Sequence, residues 1–185
     1  MYINTLSSYL KKTYGCKLYK ISLDGGMTCP NRDGKISSEG CIFCSKGGSG
    51  DFAEGYKGDV IQQIENGKAQ IEKKFPKGSY IAYFQSYTNT YGDIAYLRKI
   101  FMEALSHPQV KVLSIATRPD CIDGQVGQLL GELNKIKPVW VELGFQTANE
   151  KSAEYINRGY KNYVYERAID IIRKYDNKGN ERQLP

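Results

Sequence analysis

Apolar and polar positions along this chain switch between two periods. Ile3, Leu6, Tyr9, Leu10 and Tyr14 recur at helical spacing and predict an N-terminal helix ended by Gly15. The stretch 17–23 (KLYKISL) reads as a strand, and 24–58 reads as a long glycine-rich loop. Val60, Ile61, Ile64, Ile71 and Phe75 predict a helix closed by Pro76 and Gly78. The pattern then repeats. Strands are predicted at 80–85 (YIAYFQ), 110–116 (VKVLSIA) and 139–145 (VWVELGF). Between them, Ile94, Leu97, Phe101 and Leu105 mark one helix, stopped at His107-Pro108, and Val126, Leu129, Leu130 and Leu133 mark another. A last helix is predicted over 163–175, with Val164, Ala168, Ile169 and Ile172 inward.

Repeated strand–helix units imply an α/β fold with parallel strands and right-handed crossovers. Four such units fit either a doubly wound sheet or half of a β/α barrel. Both architectures bind ligands at the C-terminal ends of the strands. The polar segments fall there: the 24–58 loop, FQSYTNTYG, ATRPD and ELGFQ. The final ten residues, 176–185 (DNKGNERQLP), are polar and carry no strand. A four-stranded parallel arc leaves an open edge and an apolar face uncovered. The expectation is an incomplete chain, self-association through that edge, or another cover for it.

Composition narrows the function classes. The 185 residues are 41% hydrophobic and 25% charged, which is ordinary for one globular domain. No apolar run approaches the roughly 20 residues of a membrane span, and the N-terminus lacks the apolar core of a secretory signal. A cytoplasmic protein with no membrane partner is expected. The net charge of +6 and the fifteen tyrosines fit an RNA partner without demanding one. Five cysteines, an odd number without secretory context, argue against a disulfide framework.

Three of those cysteines share the glycine-rich loop, as Cys29-x11-Cys41-x2-Cys44. Two thiolates separated by two residues can serve one metal centre, and a third leaves one coordination position open. The competing reading is structural zinc with Cys16 as fourth ligand. Cys16 precedes the first strand while Cys29 follows it, so seven strand residues separate them by roughly 23 Å. The only histidine, His107, sits beside a proline and reads as a surface turn residue. Cys121 reads as an ordinary thiol. The glycines at 47, 48 and 50 lack the Lys-Ser/Thr of a phosphate loop.

The stretch KISLDGGMTCPNRDG…GCIFC resembles the radical S-adenosylmethionine (radical SAM) enzymes, and within them the YhcC/YtqA-type subfamily related to the catalytic subunit of Elongator. FQSYTNTYG, ATRPDC, ELGFQT and NRGY are similar in order and spacing. The long gap between the first two cysteines departs from the three-residue spacing common in the superfamily and matches this subfamily. The likeness covers only the subfamily's N-terminal half. It implies a radical SAM core over 1–175, a partial TIM-type barrel, followed by the polar tail 176–185.

The resemblance implies that Cys29, Cys41 and Cys44 hold a 4Fe–4S cluster whose fourth iron is chelated by SAM. SAM cleavage would yield a 5′-deoxyadenosyl radical. The implied substrate is transfer RNA, modified at C5 of the wobble uridine, with a one-electron donor such as flavodoxin or ferredoxin. The alternatives are a zinc-stabilised binding module and an inactive fragment. Phe43 would pack beside adenine or merely within the loop. Gln85, Tyr87, Asn89 and Thr90 would replace the glycine-rich motif that meets the SAM amino group. Thr117 and Arg118 follow the third strand, and Arg118 would pair with a carboxylate or phosphate or stay solvated. Glu142 and Gln146 would face the site from the fourth strand, with Glu142 contacting ribose or substrate. Arg158 would reach the SAM carboxylate or cap a helix C-terminus.

Overall fold

The computed structural model describes residues 5–48, 58–76 and 78–176. The tail expected at 176–185 lies outside these residues, apart from Asp176. Among these described residues, six helices, α1 (Leu6–Tyr14), α2 (Val60–Glu72), α3 (Ile94–Ser106), α4 (Gly124–Ile136), α5 (Glu150–Tyr155) and α6 (Asn162–Tyr175), accompany four strands, alternating with them as far as β4. The strands are β1 (Leu18–Leu23), β2 (Ser79–Phe84), β3 (Val110–Thr117) and β4 (Val139–Leu143). They form one sheet in the order β1-β2-β3-β4 and every pairing is parallel. The expected α/β architecture, an open arc of β/α units, is the observed one.

Alternation along the strands sorts side chains to the two faces. Ile21, Leu23, Ala82, Phe84, Leu113 and Ile115 turn to α2, α3 and α4 and form the main core, with Phe84 and Phe101 edge-to-face at 5.0 Å. On the other face Leu18, Ile81 and Val112 pack with Leu10, Tyr9 and Tyr14 of α1 and with Trp140. The N-terminal helix therefore plugs one end of the inner face.

One step further along the strands, the inner face turns polar. Lys20 of β1 and Glu142 of β4 stand three strand spacings apart, about 14 Å on a flat sheet. Their side chains meet at 2.9 Å. The sheet is rolled, and Lys20 and Glu142 span the concavity above Tyr83 and Ser114, both hydrogen-bonded to Glu142.

Crossover connections put the N-termini of α2 to α5 on the rim where the strands end. Each is capped by its own side chain: Asp59 accepts from Gln62 N, Asp93 from Ala95 and Tyr96 N, Asp123 from Val126 N, and Asn149 from Ser152 N. Such a cap contributes about 1 kcal/mol and fixes where each rim loop ends. Two details differ from the sequence reading. The short α5 and a 3-10 turn at Pro119–Cys121 were unforeseen, because neither is long enough to show a period. His107 is buried, not a surface turn residue: its ring bonds Glu65 Oε1 at 2.8 Å and accepts from Gln109 N. Among the described residues no helix is long and apolar enough to cross a membrane.

Candidate active site

The loop after β1 carries Cys29, Cys41 and Cys44 to the C-terminal rim, where all three line one cleft of about 290 Å³. Of the other expected residues, Phe43, Gln85, Tyr87, Thr117, Arg118, Glu142, Gln146 and Arg158 line the same cleft. Asn89 does not. It is fully buried one layer behind, and its amide donates to Phe84 O and Ala116 O, joining the ends of β2 and β3. Thr90 is likewise buried, bonded to Thr117 Oγ1 and Cys121 O.

The cysteine loop is tied to residues more than a hundred positions away. Asn157 Nδ2 donates to Gly40 O at 2.6 Å, Asn31 Nδ2 donates to Asn157 O at 2.6 Å, and Ile42 N donates to Ile156 O. Asn157 sits at φ 53°, a left-handed conformation that costs a non-glycine residue about 1 kcal/mol or more. These cross-links hold it there.

Arg158 anchors that turn. Its guanidinium is 1% exposed, and all five N–H groups are directed to protein acceptors. Nε donates to Tyr160 O; Nη1 donates to Phe145 O and Thr147 O; Nη2 donates to Tyr160 O and Asn162 Oδ1. In this arrangement it has no donor left for a ligand carboxylate, and the carbonyls it holds belong to the loops around α5, not to the last turn of a helix. The expected SAM contact and the expected helix cap both give way to a clamp on backbone carbonyls.

Arg118 has its carboxylate partner within the chain. It holds Asp120 bidentately, at 2.9 and 2.8 Å. The buried guanidinium bears electrostatically on Cys29 and Cys41. Cys41 accepts from Cys44, from Asn31 Nδ2 at 3.4 Å and from Arg118, and these outweigh burial to lower its thiol to about 6. The same hydrogen bond, with burial, raises Cys44. One member of the pair is therefore poised as a thiolate. Cys121 is pushed up to about 12, chiefly by burial, and stays a thiol.

Glu142 accepts from Lys20 Nζ, Tyr83 and Ser114; burial opposes its charge, but these donors lower its pKa overall. Phe43, 51% exposed, offers a flat apolar surface at the mouth. Gln85 spends its carbonyl on Ser22 and keeps its amide N–H groups for the cleft.

Several cleft residues escaped the sequence reading. Tyr83 was readable from alternation, two positions before Gln85. Arg32 and Tyr160, and Asn31 buried behind the cleft, had no such signal, because their work is done on backbone atoms and a sulfur.

The donor set fits an iron–sulfur cluster: three thiols on one rim, with Asn31 N–H and two guanidinium groups beside them to stabilise thiolate charge. Among the described residues, no three Cys, His, Asp or Glu side chains converge tightly enough to hold a single metal ion. Cys16 is exposed at the opposite end of β1.

Comparison with known proteins follows the same line. A family model, the Radical SAM superfamily, matches residues 31–181. The uncharacterized protein YtqA of Bacillus subtilis is 44% identical over 93% of this chain and 53% of its own length. Protein YhcC of Escherichia coli is 36% identical over 93% of this chain and 55% of its own. MJ0486 of Methanocaldococcus jannaschii, also uncharacterized, is 35% identical over 82% of this chain and 47% of its own. The chain thus spans about half the length of the curated relatives it matches.

Proposed function

This chain belongs to the radical SAM superfamily, and from that premise we propose that Cys29, Cys41 and Cys44 hold a 4Fe–4S cluster with SAM bound at its open iron. A cluster held there would supply, when reduced, the electron for reductive cleavage of SAM and so the superfamily's radical chemistry. The observation that carries this reading is the convergence of three thiols on one strand-end cleft, without a fourth cysteine among the described residues that line it.

The chain's own part is binding, orientation and exclusion. Asn31 and Arg118 stabilise the Cys41 thiolate. Phe43 gives adenine an apolar face, and Gln85, Thr117 and Gln146 ring the mouth with hydrogen-bonding groups. Glu142 remains ionised on the concave face, where a ribose or substrate hydroxyl can donate to it. Tyr160 and the Arg158 clamp close the wall beside the thiols.

The test is anaerobic reconstitution with iron and sulfide, reduction, and electron paramagnetic resonance with and without SAM. A reduced-cluster signal that changes on adding SAM is the expected result. Tight zinc with no cluster would overturn the reading.

For the substrate we propose transfer RNA, modified at C5 of the wobble uridine, with flavodoxin or ferredoxin as electron donor and self-association through the β4 edge. The net charge of +6 supports a polyanionic partner. Transfer RNA binding should weaken steeply between 50 and 200 mM salt, by about tenfold or more, through counterion release. Salt-insensitive binding in a filter or fluorescence assay would count against an RNA substrate.

A further inference from the structure

The two halves of the cysteine loop are secured from different places. Residues 31–42 hang on the Asn157 turn, as described above. The stretch 44–46, which begins at the third cysteine, is reached instead by Arg32. Its Nη2 donates to Cys44 O at 3.1 Å and to Ser45 O, and its Nη1 donates to Lys46 O at 3.2 Å. One planar guanidinium thus gathers three consecutive carbonyls. Tyr87 OH donates to the third of these, Lys46 O, at 2.9 Å, and the Arg32 guanidinium lies 5.8 Å from the Tyr87 ring centroid.

Two glycines let these side chains lie against the loop. A Cβ on Gly40 would stand 2.9 Å from Arg32 Nε, and one on Gly48 would stand 2.9 Å from the Tyr87 ring and 3.1 Å from its backbone nitrogen. Both glycines have positive φ, 77° and 65°. Tyr87 itself sits at φ 58°, a conformation that demands support for an aromatic residue. Ser45 and Lys46 are exposed, so their carbonyls could as well bond water. The stretch closes on itself through Gly48 N to Ser45 O and Ser45 Oγ to Gly48 O, and Arg32 joins that closed turn to the first half of the loop.

We propose that Arg32, with Tyr87 as its second post, is a positioning residue that ties the Cys44 arm of the loop to the arm seated on the Asn157 turn, so that the third thiol is presented to the cluster. The claim about the cluster rests on the reading above; the claim about the loop does not.

The test uses the intact chain in both forms. In the chain without cluster, hydrogen–deuterium exchange is followed over 31–40 and 41–48. Arg32→Met should speed exchange over 41–48 by about tenfold and leave 31–40 unchanged, because hydrogen bonds from a charged donor are lost on one arm alone. Arg32→Lys should fall between, since an ammonium cannot match the planar fork. Tyr87→Phe should give a smaller increase in the same segment. After reconstitution, Arg32→Met should lose iron to a chelator about tenfold faster than wild type, with Arg32→Lys again between. Unchanged exchange over 41–48 in Arg32→Met would overturn the proposal. So would acceleration spread equally over both arms. If Arg32→Met does not fold, Tyr87→Phe decides by the same exchange readout. A wild-type chain that takes up no cluster would sink the functional reading while the exchange data still judged the brace. Wild-type chelator resistance in Arg32→Met would confine Arg32 to the loop and refute its service to the cluster.

Discussion

Replacing Cys29, Cys41 or Cys44 by alanine is expected to lower bound iron after anaerobic reconstitution from about four atoms per chain to background. Cys16→Ala and Cys121→Ala should retain it. The three loop thiols line the cleft, whereas Cys16 lies at the far end of β1, about 20 Å of strand away. A cluster held by three thiolates has no spare, so any single loss removes a corner. The fold should tolerate the change, because these side chains are only half-buried and each alanine removes one sulfur. Unfolding free energies within about 1 kcal/mol of wild type would separate lost ligation from lost structure. Iron and sulfide assays on the five variants decide the matter. Loss of metal in Cys16→Ala as well as in the loop variants would restore the four-cysteine zinc reading.

The meeting of the three thiols in one cleft was legible in the sequence because all three sit on one glycine-rich loop at one strand end. The β/α order was legible for a related reason: each strand presents one face to helices, and each helix must bury a stripe, so period changes track element changes. The turn Gly15 carries its own local chemistry, whereas the caps Asp59, Asp93 and Asp123 emerged only with the structure. What the sequence concealed were side chains whose partners are backbone atoms. Arg158 and Asn89 look like ligand-binding residues because they are polar and lie near strand ends. The fold spends them on carbonyls that no pattern of residue types reveals. Burial of His107 was hidden for another reason, since its side-chain partner Glu65 lies 42 positions away. A polar residue near a site thus has two uses, and only geometry separates those that face the cleft from those that build its wall.

Arg158 tests that distinction most sharply. Arg158→Met is expected to destabilise the chain by about 3 kcal/mol, since a carbonyl left buried without its donor costs about 1–3 kcal/mol. Tyr160 O would lose its donor where water has little access, and the half-buried Phe145 O and Thr147 O would lose theirs as well. The cation–π contacts with Phe145 and Tyr160, at 5.4 and 4.4 Å, would go as well. Arg158→Lys should recover only part, because three N–H groups on a flexible stem cannot serve five acceptor contacts arranged around a plane. The damage should also spread. The Arg158 clamp seats the turn whose Asn157 holds Gly40 O, so the cysteine loop loosens when the clamp goes. Urea titration of both variants, with reconstituted iron measured alongside, provides the check. An Arg158 that served chiefly as a contact for the SAM carboxylate would behave in the opposite way. Its methionine variant would keep wild-type stability and iron content and lose only SAM affinity, and that outcome would return the residue from the wall to the site.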